Sequence, residues 1–160
     1  MEQACFGAGC FWGVQFYFDQ IPGVKSTIVG YSGGTLENPT YEDVCYSDTG
    51  HAEVVLIEFD AHEVSYETLC QHFFRLHDPT QLDRQGPDVG RQYRSTILYT
   101  NQQQRDVAQQ VLEASQSNFK QPIVTVIEAL GPFYQAEAYH QKYAERTGRG
   151  VCHIAYKQLD

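Results

Sequence analysis

The chain has 160 residues, 42% of them hydrophobic and 13% aromatic, with a formal net charge of -9 and a pI near 5.0. This length and apolar content can bury a core without disulfide or metal staples and exclude a disordered chain. The acidic balance and the lack of any Lys/Arg run argue against nucleic acid as a partner. With no basic-then-apolar leader and no stretch near the ~20 apolar residues of a membrane span, the expected compartment is the cytoplasm.

In chain order, the pattern predicts a short strand at Ala4 to Phe6, a glycine turn at Gly7 to Gly9, and a helix from about Phe11 to Gln20 stopped by Pro22-Gly23. A strand follows at Val24 to Gly30, then a long loop from Tyr31 to Gly50, then a strand rich in Val, Ile and Phe at His51 to Asp60. Ser65 is a plausible cap for a helix whose Leu69, Phe73 and Leu76 recur at helical spacing. A second long loop, Asp78 to Tyr93, leads to a strand at Ser95 to Tyr99. Two loops of this length in a compact chain point to function.

Asn101 or Thr100 would cap a polar helix with Val107, Val111 and Leu112 inward. A strand is expected at Ile123 to Leu130, and a last helix at Ala136 to Arg146 ahead of a C-terminal tail. The order reads as α+β, with a ferredoxin-like split βαβ core and a mainly antiparallel sheet. Without repeats or linkers, residues 1–160 are expected to form one domain.

The five cysteines, Cys5, Cys10, Cys45, Cys70 and Cys152, form no Cys-x-x-Cys pair and are scattered, so neither a disulfide framework nor a metal site is expected. Cys10 stands apart. It follows a strand and a Gly7-Ala8-Gly9 turn and begins a helix, where free backbone N–H groups and the helix dipole would lower a thiol pKa from its ordinary ~8.5. The flanking glycines let another molecule approach the sulfur. The plain alternative is a small buried hydrophobe.

Alternation along His51 to Phe59 sets Glu53 on the face of Val55, Ile57 and Phe59. Burial there would raise its pKa and let it act as a general acid; at a frayed strand end it would instead be solvated. Phe11 and Trp12 can wall an apolar pocket or simply join the core. Tyr41 and Tyr93, in the two long loops, can donate to a polar oxygen or merely pack.

The strings Gly9-Cys10-Phe11-Trp12-Gly13, Gly30-Tyr31-Ser32-Gly33-Gly34, Asn38-Pro39-Thr40-Tyr41, Gly50-His51-Ala52-Glu53, Asp88-Val89-Gly90 through Tyr93-Arg94-Ser95, and Ala136-Glu137 through Tyr139-His140-Gln141 run in order along nearly the whole chain. Together they resemble the A-type peptide-methionine sulfoxide reductases. The resemblance implies that Cys10 attacks the sulfoxide sulfur while Glu53 protonates its oxygen and Tyr41 and Tyr93 hydrogen-bond it. Phe11 and Trp12 would hold the substrate methyl group, and Asp88 would organise the site. It implies the S epimer of methionine sulfoxide, free or in proteins, as substrate, no cofactor, and a sulfenic acid on Cys10.

A second thiol must resolve that sulfenic acid. Cys5 and Cys70 look structural, Cys45 lies in the Tyr41 loop, and Cys152 lies in a glycine-flanked terminal segment. Many family members carry recycling cysteines near the C-terminus and some have two there, whereas this chain has one. The resemblance therefore implies a Cys10–Cys152 disulfide reduced by thioredoxin, with Cys45 the fallback. Two other classes stay open. A cysteine hydrolase would take His51 or His140 as its base, and a binding module would leave Cys10 incidental.

Overall fold

The structure, a computed structural model, describes residues 1–148. The elements are β1 (Glu2–Ala8), α1 (Phe11–Asp19), β2 (Val24–Ser32), α2 (Tyr41–Tyr46), β3 (Ala52–Phe59), α3 (Tyr66–Leu76), β4 (Arg84–Gln85), β5 (Asp88–Val89), β6 (Ser95–Tyr99), α4 (Gln102–Ser115), β7 (Val126–Ala129), β8 (Tyr134–Gln135) and α5 (Tyr143–Thr147). The fold is mixed α/β around a mainly antiparallel sheet of order β7-β6-β1-β3-β2-β8, with only β6 and β7 parallel.

Period-two alternation puts Val55, Ile57 and Phe59 of β3 on one face of this sheet and Ala52 and Val54 on the other. The first face carries the main core. Phe6 of β1 stacks between Phe18 of α1 and Phe73 of α3, at ring distances of 5.3 and 5.2 Å. On the second face Cys5, Ala52, Val54 and Leu98 pack under Leu130 and Phe133. Gly30 makes that cover possible, because a Cβ there would collide with the Tyr134 carbonyl and the Phe133 ring.

Several expectations need correction. The Tyr31 to Gly50 stretch is not all loop: β2 runs on to Ser32, and Thr40 opens α2 with a capping box in which its hydroxyl accepts from the Asp43 N–H while Asp43 accepts from the Thr40 N–H. The Asp78 to Tyr93 stretch contains the β4–β5 hairpin and a 3-10 turn at Arg91–Tyr93.

The expected strand at Ile123 to Leu130 shortens to Val126–Ala129, since the Ile123 N–H donates to the Gln116 side chain and the Val124 N–H to the Pro79 carbonyl. The expected helix at Ala136 to Arg146 is broken. A 3-10 turn at Ala138–His140 and α5 are separated by Lys142 at φ 58, in the left-handed region. Tertiary bonds hold that break. The Gln141 amide pairs with both the N–H and C=O of Val29, and Lys142 Nζ meets Asp19 at 2.8 Å.

Candidate active site

Cys10 occupies the N-cap position of α1, reached from β1 through Gly9 at φ +98. Only glycine adopts that angle without strain, and a Cβ on Gly9 would press on Gln85. The turn aims the Cys10 sulfur at the backbone N–H groups of Trp12 and Gly13, which favour its thiolate. The sequence expectation of a lowered thiol pKa is nevertheless overturned. Burial is the largest influence and pushes the thiol well up, with negative charge on Glu53 adding to it. Dipole and N–H groups oppose this without winning.

Glu53 enters the same helix terminus from the sheet. It lies at the start of β3 opposite Tyr31 in the register, is 1% exposed, and its Oε1 accepts from the Phe11 N–H at 3.2 Å. Its Oε2 is buried and has no hydrogen-bond partner among the described residues. Burial lifts its pKa to about 8, with the Phe11 N–H pulling down and the Asp88 charge pushing up. Because the shift is upward, the carboxyl keeps its proton at neutral pH and loses it only as pH rises through about 8. A neutral Glu53 also removes its own charge from Cys10. The two groups are thus coupled: thiol and neutral carboxyl coexist at neutral pH, and thiolate-plus-acid is a minor proton arrangement until an electrophile meets the sulfur.

Tyr41 is the first residue of α2, and its hydroxyl lies beside Cys45, one helical turn on, close enough to favour that sulfur's thiolate. Tyr93, which closes the 3-10 turn, and Gln92 lie near the same sulfur and also favour its thiolate. Burial pushes both tyrosine hydroxyls up, so both stay protonated donors. Tyr93 feels the charges of Glu53, Asp88 and Cys10, and Tyr41 that of Glu53. Asp88, on β5, acts on Cys10 and Glu53 by charge. The structure therefore brings Cys10, Glu53, Tyr41, Tyr93, Asp88 and Cys45 into one electrostatic neighbourhood. Cys152 lies outside the described residues.

Phe11 is buried, with its ring 5.7 Å from Tyr31 and 5.2 Å from His140. Trp12 is half-buried, stacks on Tyr143 at 3.9 Å, and donates from Nε1 to His140 Nδ1 at 2.8 Å.

Sequence reasoning assigned no role to Glu137. It accepts from the Tyr31 hydroxyl through one oxygen and from the Tyr41 N–H through the other, both at 3.0 Å, and so ties β2 to α2. Arg94 was missed likewise; its guanidinium donates to the carbonyls of Gly50 and Arg91, fixing the Tyr93 turn beside β3. The signal for both was their presence within the ordered strings.

The two histidines that a hydrolase would need are otherwise engaged. His51 Nδ1 accepts from the Gly34 N–H at 3.0 Å, so its Nε2–H donates to the Leu36 carbonyl at 2.7 Å. His140 Nδ1 is taken by Trp12. Among the described residues no His, Cys, Asp or Glu cluster is arranged to hold a metal ion. No described helix is long and apolar enough to cross a membrane.

The family model described as peptide methionine sulfoxide reductase matches residues 2–160. The chain belongs to the peptide methionine sulfoxide reductase (MsrA) family. A peptide methionine sulfoxide reductase MsrA from Methanothermobacter thermautotrophicus is 55% identical over 156 residues, covering 96% of this chain and 92% of that protein. Methionine sulfoxide reductase A of Corynebacterium diphtheriae has a TM-score of 0.89 at 34% identity, covering 96% of this chain and 82% of that one. Mxr1 from Saccharomyces cerevisiae, solved in complex with Trx2, shares the fold at a TM-score of 0.65 and 24% identity, covering 99% of this chain and 90% of that one. The family's chemistry is oxidoreduction, the conversion of methionine sulfoxide to methionine.

Proposed function

We propose that Cys10 is the nucleophile and Glu53 the acid of this reduction, acting on the S epimer of methionine sulfoxide, free or within proteins. The observation that carries the reading is the buried, protonated carboxyl of Glu53, with one oxygen on the Phe11 N–H and the other unpartnered, at the helix start that holds the thiol.

A sulfoxide oxygen leaves poorly until it is protonated. The Cys10 thiolate attacks the sulfur while the Glu53 proton moves to the oxygen, and Tyr41 and Tyr93 donate to that oxygen as charge grows on it. The hydroxyl then passes to the Cys10 sulfur as the S–O bond and the transient bond between the two sulfurs break, releasing methionine and leaving Cys10 as a sulfenic acid. Phe11 and Trp12 hold the substrate methyl group, and Asp88 organises the site from β5. Both tyrosines lie beside Cys45, a weak acceptor that a sulfoxide oxygen would outcompete for their hydroxyls.

Cys152 then attacks the sulfenic acid, expelling water and forming a disulfide that a dithiol protein, thioredoxin, reduces by exchange. The contact of Cys45 with Tyr41 and Tyr93 supports it as the alternative resolving thiol. The working compartment is the cytoplasm. The topology supports a ferredoxin-like core in a single domain, since β1–α1–β2 and β3–α3–β6 interleave so that β3 lies between β1 and β2.

The test is reduction of racemic methionine sulfoxide under limiting dithiol, with epimer analysis of the remainder and nonreducing peptide mapping. Loss of the S epimer and a Cys10–Cys152 bond are expected. Loss of the R epimer, or a Cys10–Cys45 bond, would overturn the corresponding part.

A further inference from the structure

Beside the reacting groups lies a buried imidazole with one polar partner. His140 is 1% exposed, and the rings of Tyr139, Tyr41 and Phe11 lie 4.1, 4.5 and 5.2 Å from it. Its Nδ1 accepts from the Trp12 indole N–H at 2.8 Å. That bond fixes the tautomer: Nδ1 carries no proton, so the proton is on Nε2, which is buried without a hydrogen-bond partner among the described residues. Leaving a buried N–H unpaired is costly. The ring is therefore held in place by its aromatic neighbours and by Trp12 alone.

We propose that His140 is a positioning residue for sulfoxide reduction: its neutral Nδ1 locks the Trp12 indole at the angle that makes it a wall of the methyl pocket. The inference rests on the reading that Trp12 holds the substrate methyl group. Trp12 is the second residue of α1, only half-buried, and stacked on Tyr143, a contact that leaves the indole free to slide in its own plane. A directional bond from Nε1 removes that freedom. Phe11 is fixed by full burial and needs no such bond.

Trp12 is the one tryptophan of the chain, so its emission and its indole N–H resonance report this contact directly. In the unaltered protein the indole proton should be shifted downfield and exchange slowly with solvent. His140→Phe, which keeps a ring but no acceptor, should raise acrylamide quenching of Trp12 severalfold. It should also raise KM for methionine sulfoxide roughly tenfold while changing kcat by less than about threefold, because a misplaced binding wall mainly costs substrate positioning.

His140→Gln, whose amide oxygen can accept, should recover most of both. Fast indole exchange in the unaltered protein would overturn the proposal even if His140→Phe does not fold. So would unchanged quenching and KM in a folded His140→Phe, or a His140→Gln as impaired as His140→Phe. If the reductase reading itself is wrong, the unaltered protein will fail to reduce sulfoxide while the indole signals still respond to His140.

Discussion

Cys10 and Cys70 invite comparison, because both thiols belong to helices that cover the same sheet face and burial pushes both upward, Cys70 to about 12. Cys70 lies inside α3, fully buried, with the Tyr66 side chain one turn before it. Cys10 is only half-buried at the first turn of α1, faces two unsatisfied N–H groups, and has a protonated carboxyl beside it. Thiol reactivity therefore does not follow from a low resting pKa here. It follows from access, from directional donors that await a thiolate, and from an acid that can complete the reaction.

The largest effect that would break this contrast is at Cys10. Cys10→Ser should abolish methionine formation, at least 10³-fold by steady-state assay, whereas Cys70→Ala should leave turnover unchanged. Next is Glu53→Gln, expected to lower kcat/KM by about 10²- to 10⁴-fold, the usual range for a general acid. Tyr41→Phe and Tyr93→Phe should each cost about tenfold, the equivalent of one hydrogen bond to a charged oxygen, with a larger loss when combined. The smallest effects are on stability. Cys70→Ala should lower unfolding free energy by about 1–2 kcal/mol through lost packing, and Thr40→Ala by about 1 kcal/mol through loss of the α2 cap, both read by denaturant titration.

The readable parts of the chain were those where one local pattern decided the outcome. Alternation along β3 put Glu53 on the apolar face that it occupies, and Ser65 and Asn101 cap their helices through side chains accepting from the N–H three residues on. The two long loops were marked as functional, but α2 inside one of them was not seen. Six residues after Asn38-Pro39 give too short a periodicity, although Thr40 and Asp43 do carry a capping signature.

The segment after Gly131 misled for the opposite reason. Ala136, His140 and Ala144 recur at helical spacing, yet the Gln141 amide substitutes for a strand partner of Val29 and Lys142 turns left-handed toward Asp19. Such long-range bonds leave no trace in local spacing. The upward shift of Cys10 was likewise hidden, because helix position can be read from sequence while depth of burial beside Glu53 cannot.

The central claim, a thiol working opposite a protonated Glu53, is tested most directly by single-turnover methionine formation without added dithiol, followed against pH at saturating sulfoxide. In the unaltered protein the rate should rise with pH and level off near 8, because above that pH each gain in Cys10 thiolate is offset by loss of the Glu53 proton. Glu53→Gln should be slow and should keep rising through pH 8, since only the Cys10 thiol then titrates. A Glu53→Gln protein that matches the unaltered rate, or that levels off at the same pH, would contradict the account.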